Sequence, residues 1–242
     1  MRALRTGQEI SVASLSEVAG VSSVTIRRDL ADLEAAGLLR RTHGGAVRTM
    51  QRGNPQPFGA RHREELDEKT RLAGAAAQLV ADDESVIVDN GTTCYAVALR
   101  LAGRPLTTLA LSLHAAAALA AVPGCEVLVP GGTVETDSLA CTGTQVLETI
   151  RSMHVDVAVL GACSASPLTG LTSTSLEDAR IKRAAIDVAT RRVLVVSADK
   201  LTRTSSFRFG EPHELTHLVT TREASEEVLS RYRDDAVEVL RV

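Results

Sequence analysis

V21-S-S-V-T-I-R-R-D-L30 decides how the first part of the chain is read. Two adjacent arginines stand in a short apolar-periodic run behind two serines. An arginine pair on a helix is, by itself, an ordinary exposed face. The residues around it change the reading. Ser11 can cap a helix of two turns, and Ser14 with Glu17 offers a capping box as a second choice. Gly20-Val21 makes a tight turn. Ser22 can cap the next helix, which runs until Gly37 supplies a C-terminal stop. A short helix, a glycine-containing turn and a second helix form the helix-turn-helix plan.

At about 100° per residue, Ile26, Leu30 and Leu33 fall on one side of the second helix and pack inward. Val24 and Arg28 point nearly opposite, Arg27 and Thr25 flank them, and Ser22 and Ser23 stand at the N-terminal end. Small polar residues and two arginines at the start of such a helix suit a major groove. Arginine pairs bidentately with guanine, while serine, threonine and the helix N-terminus hold phosphates. Behind Gly37, L38-L-R-R-T-H-G-G-A-V47 predicts two short strands around a His-Gly-Gly turn, a β wing. Its Arg40, Arg41 and His43 can reach the backbone phosphates beside the groove.

Charge is distributed to match. Residues 1–60 carry eight bases against five acids, and the remainder carries 19 bases against 25 acids. A basic head on an acidic body hints at an anionic partner for the head. The chain has 242 residues, 44% of them hydrophobic and only 2% aromatic, so the core must be aliphatic. No apolar run reaches the roughly 18 residues of a membrane span, and the start lacks the apolar stretch of a signal peptide. The four cysteines show no C-x-x-C spacing and no clustered histidines. They read as reduced thiols of a cytoplasmic protein, with no metal site or cofactor expected.

R48-T-M-Q-R-G-N-P-Q-P-F-G59 has two prolines, two glycines and no periodicity, which marks a linker over 50–60. The head then spans 1–49 and the body 61–242. A charged helix is predicted over 60–80, with Leu66, Leu72, Ala76 and Leu79 as its buried stripe. Beyond it, apolar β-branched runs at 85–89, 106–111, 126–129, 156–160, 192–197, 217–220 and 236–240 read as strands. Helices are predicted between them at 92–102, 114–121, 143–152, 176–190 and 223–232. Non-alternating apolar strands separated by helices predict an α/β body with a mostly parallel sheet covered on both faces.

In such a sheet, ligands bind outside the carboxyl ends of the strands. D89-N-G-T-T-C-Y95 sits where a strand ends and a helix begins, which exposes backbone N–H groups and a positive dipole end. Gly91 allows close approach, and Thr92 and Thr93 add hydroxyl donors, so a phosphate or carboxylate fits. Pro130-Gly131-Gly132-Thr133 follows another strand. T172-S-T-S-L-E-D-A-R-I-K182 opens a helix carrying Glu177 and Lys182, and S197-A-D-K200 closes a later strand with Lys200. Each lysine alone would read as a surface residue.

V21-S-x-x-T-I-R-R-D-L30, E34-x-x-G-L-L-x-R41 and T42-H-G-G-A46 resemble the winged helix-turn-helix of DeoR-type transcriptional regulators. The order and spacing of the body motifs resemble that family's C-terminal sensor domain, similar in fold to ribose-phosphate isomerases. Together the resemblance covers nearly the whole chain. It implies a homo-oligomer, dimer or tetramer, that binds a double-stranded DNA operator as a repressor of carbohydrate metabolism genes. It also implies release by a phosphorylated sugar or related metabolite. Ser22, Ser23, Thr25, Arg27, Arg28, Arg40, Arg41, Thr42, His43 and Gly44 would contact DNA. Asp89, Asn90, Gly91, Thr92 and Thr93 would form the phosphate loop, with Gly131 and Gly132 lining the cleft. Glu177 and Lys182 would face the sugar end, and Lys200 would close the site.

The sequence departs from the family pattern. Most of the usual first helix is missing from M1-R-A-L-R-T-G7, so a start upstream of Met1 is expected. A110-L-S112 lacks an amide, L160-G-A-C-S164 lacks an acid, and Ser175 stands where asparagine is usual. These changes imply altered sugar recognition, or a constitutive DNA-binding regulator with a degenerate sensor. A sugar-phosphate isomerase would need an acid/base group in the cleft. Glu177 is the candidate, but the acid after Gly161-Ala162 is absent. No P-loop, G-x-G-x-x-G, H-E-x-x-H or G-x-S-x-G occurs, so an enzyme is not expected.

Overall fold

The computed structural model describes residues 9–35, 39–42, 44–47 and 57–242. The chain divides into two compact units, Met1–Gln56 and Pro57–Val242. In the first, β1 (Glu9–Ser11) runs into α1 (Val12–Ala19). Then come α2 (Ser23–Ala35), β2 (Arg40–Arg41) and β3 (Gly45–Val47). Ser11 Oγ accepts from Ser14 N at 3.1 Å, and Gly20 ends α1 with a φ of 67°. Ser22 Oγ accepts from Thr25 N at 3.2 Å. These hydroxyls satisfy donors that a helix start leaves without partners. Leu15, Ile26, Leu30, Leu39 and Ala46 form the small core.

The wing has three strands, in the order β1-β3-β2. The sequence reading foresees only two, because Glu9–Ser11 is short and merges with a helix cap. A Cβ on Gly45 would collide with the Ile10 carbonyl, so only glycine lets β3 lie against β1. Gly37, His43, residues 1–7 and the side chains of Leu33 and Arg40 lie outside the described part of the chain.

The second unit opens with α3 (Phe58–Arg63) and α4 (Leu66–Gln78). The single helix expected over 60–80 is therefore two, broken at Glu65, whose φ is 55°. Leu66, the first residue after the break, is 50% exposed rather than buried; Leu72, Ala73, Ala75 and Ala76 make the inner face. The body also begins earlier than residue 61. Phe58, placed in the linker by its proline and glycine neighbours, is buried and stacks on His114 with ring centroids 3.9 Å apart.

Strands and helices then alternate: β4 (Ser85–Val88), α5 (Thr92–Leu101), β5 (Thr107–Ala110), α6 (Leu113–Ala120) and β6 (Glu126–Leu128). A hairpin of β7 (Thr133–Val134) and β8 (Cys141–Thr142) leads to α7 (Thr144–Arg151) and β9 (Val155–Leu160). Next come β10 (Ser164–Ser166), β11 (Gly170–Ser173), α8 (Leu176–Val188), β12 (Ala189–Val195) and β13 (Phe207–Gly210). The chain closes with β14 (His217–Thr220), α9 (Glu226–Asp234) and β15 (Glu238–Arg241).

Seven of these strands form one parallel sheet in the order β15-β14-β12-β9-β4-β5-β6. Its two faces are covered by separate aliphatic clusters, around Ile87, Leu109 and Leu160 on one side and Val86, Val88 and Val159 on the other. That is why the strands read as continuous apolar runs. The sheet β10-β11-β13 is antiparallel and was not foreseen. β10 and β11 are short and rich in serine and glycine, and the Phe-Arg-Phe alternation of β13 is too brief to betray a strand.

Candidate functional site

The order of the large sheet has one reversal. After β4 the chain builds β5 and β6 outward on one side, then crosses back to place β9 on the other side of β4. The carboxyl ends of β4 and β9 therefore diverge into a crevice, the position where open α/β sheets hold ligands. The loop after β4 carries Asp89, Asn90 and Gly91, and the loop after β9 carries Gly161, Ala162 and Cys163.

Asp89 is wholly buried at this point. One carboxylate oxygen accepts from Asn90 N at 2.8 Å, and the other from Gly161 N at 2.9 Å and from Lys182 Nζ. Its side chain is thus a strut tying β4, β9 and α8 together. Lys182 is 3% exposed and also pairs with Asp178 at 3.1 Å, one helical turn away. Burial opposes its ammonium charge, but Asp178 and Asp89 outweigh that and hold its pKa well above the usual lysine value. Asn90 donates to Asp178 at 2.7 Å, and Ser173 donates to it at 2.6 Å. Asp178 is the hub of this network, and the sequence reading chose its neighbour Glu177 instead. The i, i+4 spacing of Asp178 and Lys182 was the available signal.

With its carboxylate held below, the loop turns upward. Gly91 has a φ of 98° and open space where a Cβ would sit. It precedes α5, whose first N–H groups have no intrahelical acceptor. Thr92 and Thr93 are buried, and among the described residues no hydrogen bond takes their hydroxyls. A positive dipole end, free amides and two hydroxyls at one strand-to-helix turn are an arrangement suited to an oxyanion.

The other expected residues lie around this edge. Glu177, at the start of α8, accepts from Gly143 N at 2.6 Å, so a carboxylate already sits at the N-terminus of α7. Gly131 and Gly132 follow β6, two strands from β4, and Gly132 packs against the Thr142 carbonyl. Lys200 lies in the short helical turn Ala198–Thr202 after β12, on the opposite side of the crevice. It is half-buried, and no ion pair or hydrogen bond takes its ammonium among the described residues. Burial lowers its pKa. Neither lysine is an exposed surface residue, and Lys182, expected to face the sugar end, is engaged by Asp89 and Asp178.

Lys69 on α4 joins this edge without having been foreseen. It donates to the carbonyls of Arg61 and Glu64, and its pKa is lowered first by burial and also by the nearby Lys200 charge. A compositional signal existed: only three of the 27 basic residues are lysines, Lys69, Lys182 and Lys200, and all three are at least partly buried in the body. The departures from the family pattern have local roles. Ser112 caps α6 and Ser175 caps α8, accepting from Ala115 N at 3.2 Å and Asp178 N at 3.4 Å. Cys163 Sγ lies 3.8 Å from Thr174 Oγ1.

In the head, the outer face of α2 is fully displayed. Val24 is 72% exposed, and Ser22, Ser23, Thr25, Arg27 and Arg28 are exposed with it. Ile26 and Leu30 are buried beneath. Arg41 N donates to Glu34 Oε1 at 2.8 Å, which fixes the wing to α2, and Thr42 N donates to Gly45 O across the wing turn. Gly44 is exposed and its carbonyl accepts from Val12 N. Among the described residues, no His/Cys/Asp/Glu group is arranged to hold a metal, and no helix is long and apolar enough to cross a membrane.

Residues 1–52 match the family model of the DeoR-like helix-turn-helix domain, and residues 64–222 match that of the DeoR C terminal sensor domain. Transcriptional repressor AccR of Agrobacterium fabrum is 35% identical over 204 residues, 84% of this chain and 79% of that protein. HTH-type transcriptional repressor GlcR of Bacillus subtilis is 31% identical, covering 90% of this chain and 84% of that one. Among solved structures, ribose 5-phosphate isomerase A of Methanocaldococcus jannaschii matches with a TM-score of 0.42 and 18% identity, over 57% of this chain and 56% of that one.

Proposed function

The chain belongs to the DeoR family of transcriptional regulators, and from that membership we propose a repressor of sugar-related genes released from its operator by a phosphorylated sugar. It is a DNA-binding regulator rather than an enzyme. The observation that carries the effector class is the Gly91–Thr93 loop. Its amides and hydroxyls stand at the start of α5, beside a strut, Asp89–Lys182, that is already neutralised internally, and a side chain added at Gly91 would meet nothing. A phosphate is the group that such a loop recognises without needing a paired cation beneath it. Lys200 on the far side adds the remaining charge.

In the head, Arg27 and Arg28 would read base edges, while Ser22, Ser23, Thr25, Arg41 and the wing turn would hold phosphates. Two such heads on a homo-oligomer would engage two half-sites. Effector binding releases DNA only through its differential affinity for the DNA-competent and DNA-incompetent arrangements.

The test uses an operator fragment selected by the protein from a random DNA pool. Phosphorylated pentoses, hexoses and amino sugars are titrated against the complex. Release by one of them, and not by its unphosphorylated sugar, is the expected result. Effector binding by none, with operator affinity indifferent to all, would overturn the sensing role and favour a constitutive regulator.

A further inference from the structure

α7 and α8 lie side by side on one face of the sheet, and each presents a leucine followed by an arginine one turn on: Leu147 and Arg151, Leu176 and Arg180. Both helices lead directly into parallel strands, so they run in the same direction and the two pairs line up. Between them is a groove of about 360 Å³, whose lining also includes Arg183, Asp187 and Arg208. Leu176 is 47% exposed and lines the groove together with Arg151 and Arg180.

The four arginines are not equivalent. Arg183 is held by Asp187 and by Glu214 at 2.8 Å, and Arg208 by Glu211 at 2.6 Å. Arg151 and Arg180 are exposed and have no such partner among the described residues. A guanidinium offers a planar fork of donors matched to carboxylate and phosphate oxygens. Two unpaired forks facing one groove, beside two leucines, leave positive charge and apolar surface unsatisfied together. The groove shares no residue with the crevice. It runs along the side of α8 that carries Leu176, Arg180 and Arg183, whereas Lys182 reaches Asp89.

We propose that this groove is a second ligand site, for a small amphipathic anion: an oxyanion head held by Arg151 and Arg180, and a short apolar body lying on Leu147 and Leu176. The test is calorimetry on the full chain at fixed ionic strength, with butyl phosphate and inorganic phosphate as probes. Butyl phosphate should bind the wild type more tightly than inorganic phosphate does. Arg151→Ala/Arg180→Ala should weaken it at least tenfold with the fold intact by circular dichroism, because neither side chain supports a neighbour. Leu176→Gln should erase the preference for the butyl ester. Butyl phosphate should also protect Arg151 and Arg180 from phenylglyoxal, read by mass spectrometry. Unchanged affinity in the double variant, or equal affinity for the two probes, would overturn the site. So would a change in solution mass of the double variant, which would make the groove a contact between copies.

Discussion

Lys182 on α8 and Asp89 at the end of β4 are 93 residues apart in sequence and form an ion pair whose side chains are 3% and 0% exposed. The pair fixes the helix that carries Glu177 and Asp178 to the strand that ends in the Gly91 loop. It does so with Gly161 N as a third partner, from the strand across the crevice.

Lys182→Met would leave two carboxylates, Asp89 and Asp178, without their cation in the interior. Breaking a buried pair by removing one partner costs about 3–5 kcal/mol. The expected outcome is a loss of that order in denaturant unfolding of the body, with response to effector lost. Stability within about 0.5 kcal/mol of the wild type would contradict the strut.

Lys200→Met should behave in the opposite way. Burial depresses the Lys200 pKa, so its charged form is a cost in the folded chain. The unfolded chain binds the proton more tightly, so stability rises with pH from the depressed pKa up to the unfolded value near ~10.4. Removing the ammonium should leave thermal stability at neutral pH equal or higher and abolish that rise. Operator release should need at least roughly tenfold more effector, as expected for the loss of a charge-assisted contact.

Glu68 on α4 titrates near neutrality. Burial first, then the charges of Glu65, Asp199 and Glu223, raise its pKa to about 7. The folded chain keeps this proton while the unfolded chain has lost it, so the contribution to stability is present below the model-peptide value of ~4.3 and lost as pH rises to about 7. The carboxyl is only half-buried, and after solvent screening the effect is on the order of 1 kcal/mol. Glu68→Gln should flatten the pH dependence of unfolding in that window and stabilise the chain above it. A slope unchanged by the substitution would remove Glu68 from the account.

Arg27→Ala and Arg28→Ala should each weaken operator binding by about 1–3 kcal/mol where a base contact is lost. Both side chains are exposed above Ile26 and Leu30, so unfolding and effector binding should not change. Gel-shift titration at two salt concentrations separates the cases. A base-reading arginine relaxes sequence preference, whereas a phosphate-holding one lowers the salt slope by about one.

Ser22→Ala removes the hydroxyl that caps α2 and leaves Thr25 N–H without its partner. Loss of such a cap costs about 1 kcal/mol. In a head with so small a core, a lower melting transition should appear together with weaker DNA binding. Ser22→Asn should restore the first, since asparagine caps as well as serine.

The sequence determined the head and the layout of the body. Helix caps, the Gly20 turn, the Ile26–Leu30 stripe and the apolar strand runs are local in the chain, and local geometry follows from residue type at fixed spacing. The loop D89-N-G-T-T93 was legible for the same reason, since a glycine before two threonines at a strand end exposes amides whatever surrounds it. Tertiary structure alone decided what the charged residues do. Lys182 and Asp89 read as separate effector contacts, and the crossover to β9, which brings α8 over Asp89, pairs them with each other instead, while Asp178 passed unnoticed beside Glu177. Lys69 and Lys200 came to one edge from positions 131 residues apart by number. A charge takes its partner through space, and the burial that sets its pKa is made by segments distant in sequence, so no spacing along the chain could report either.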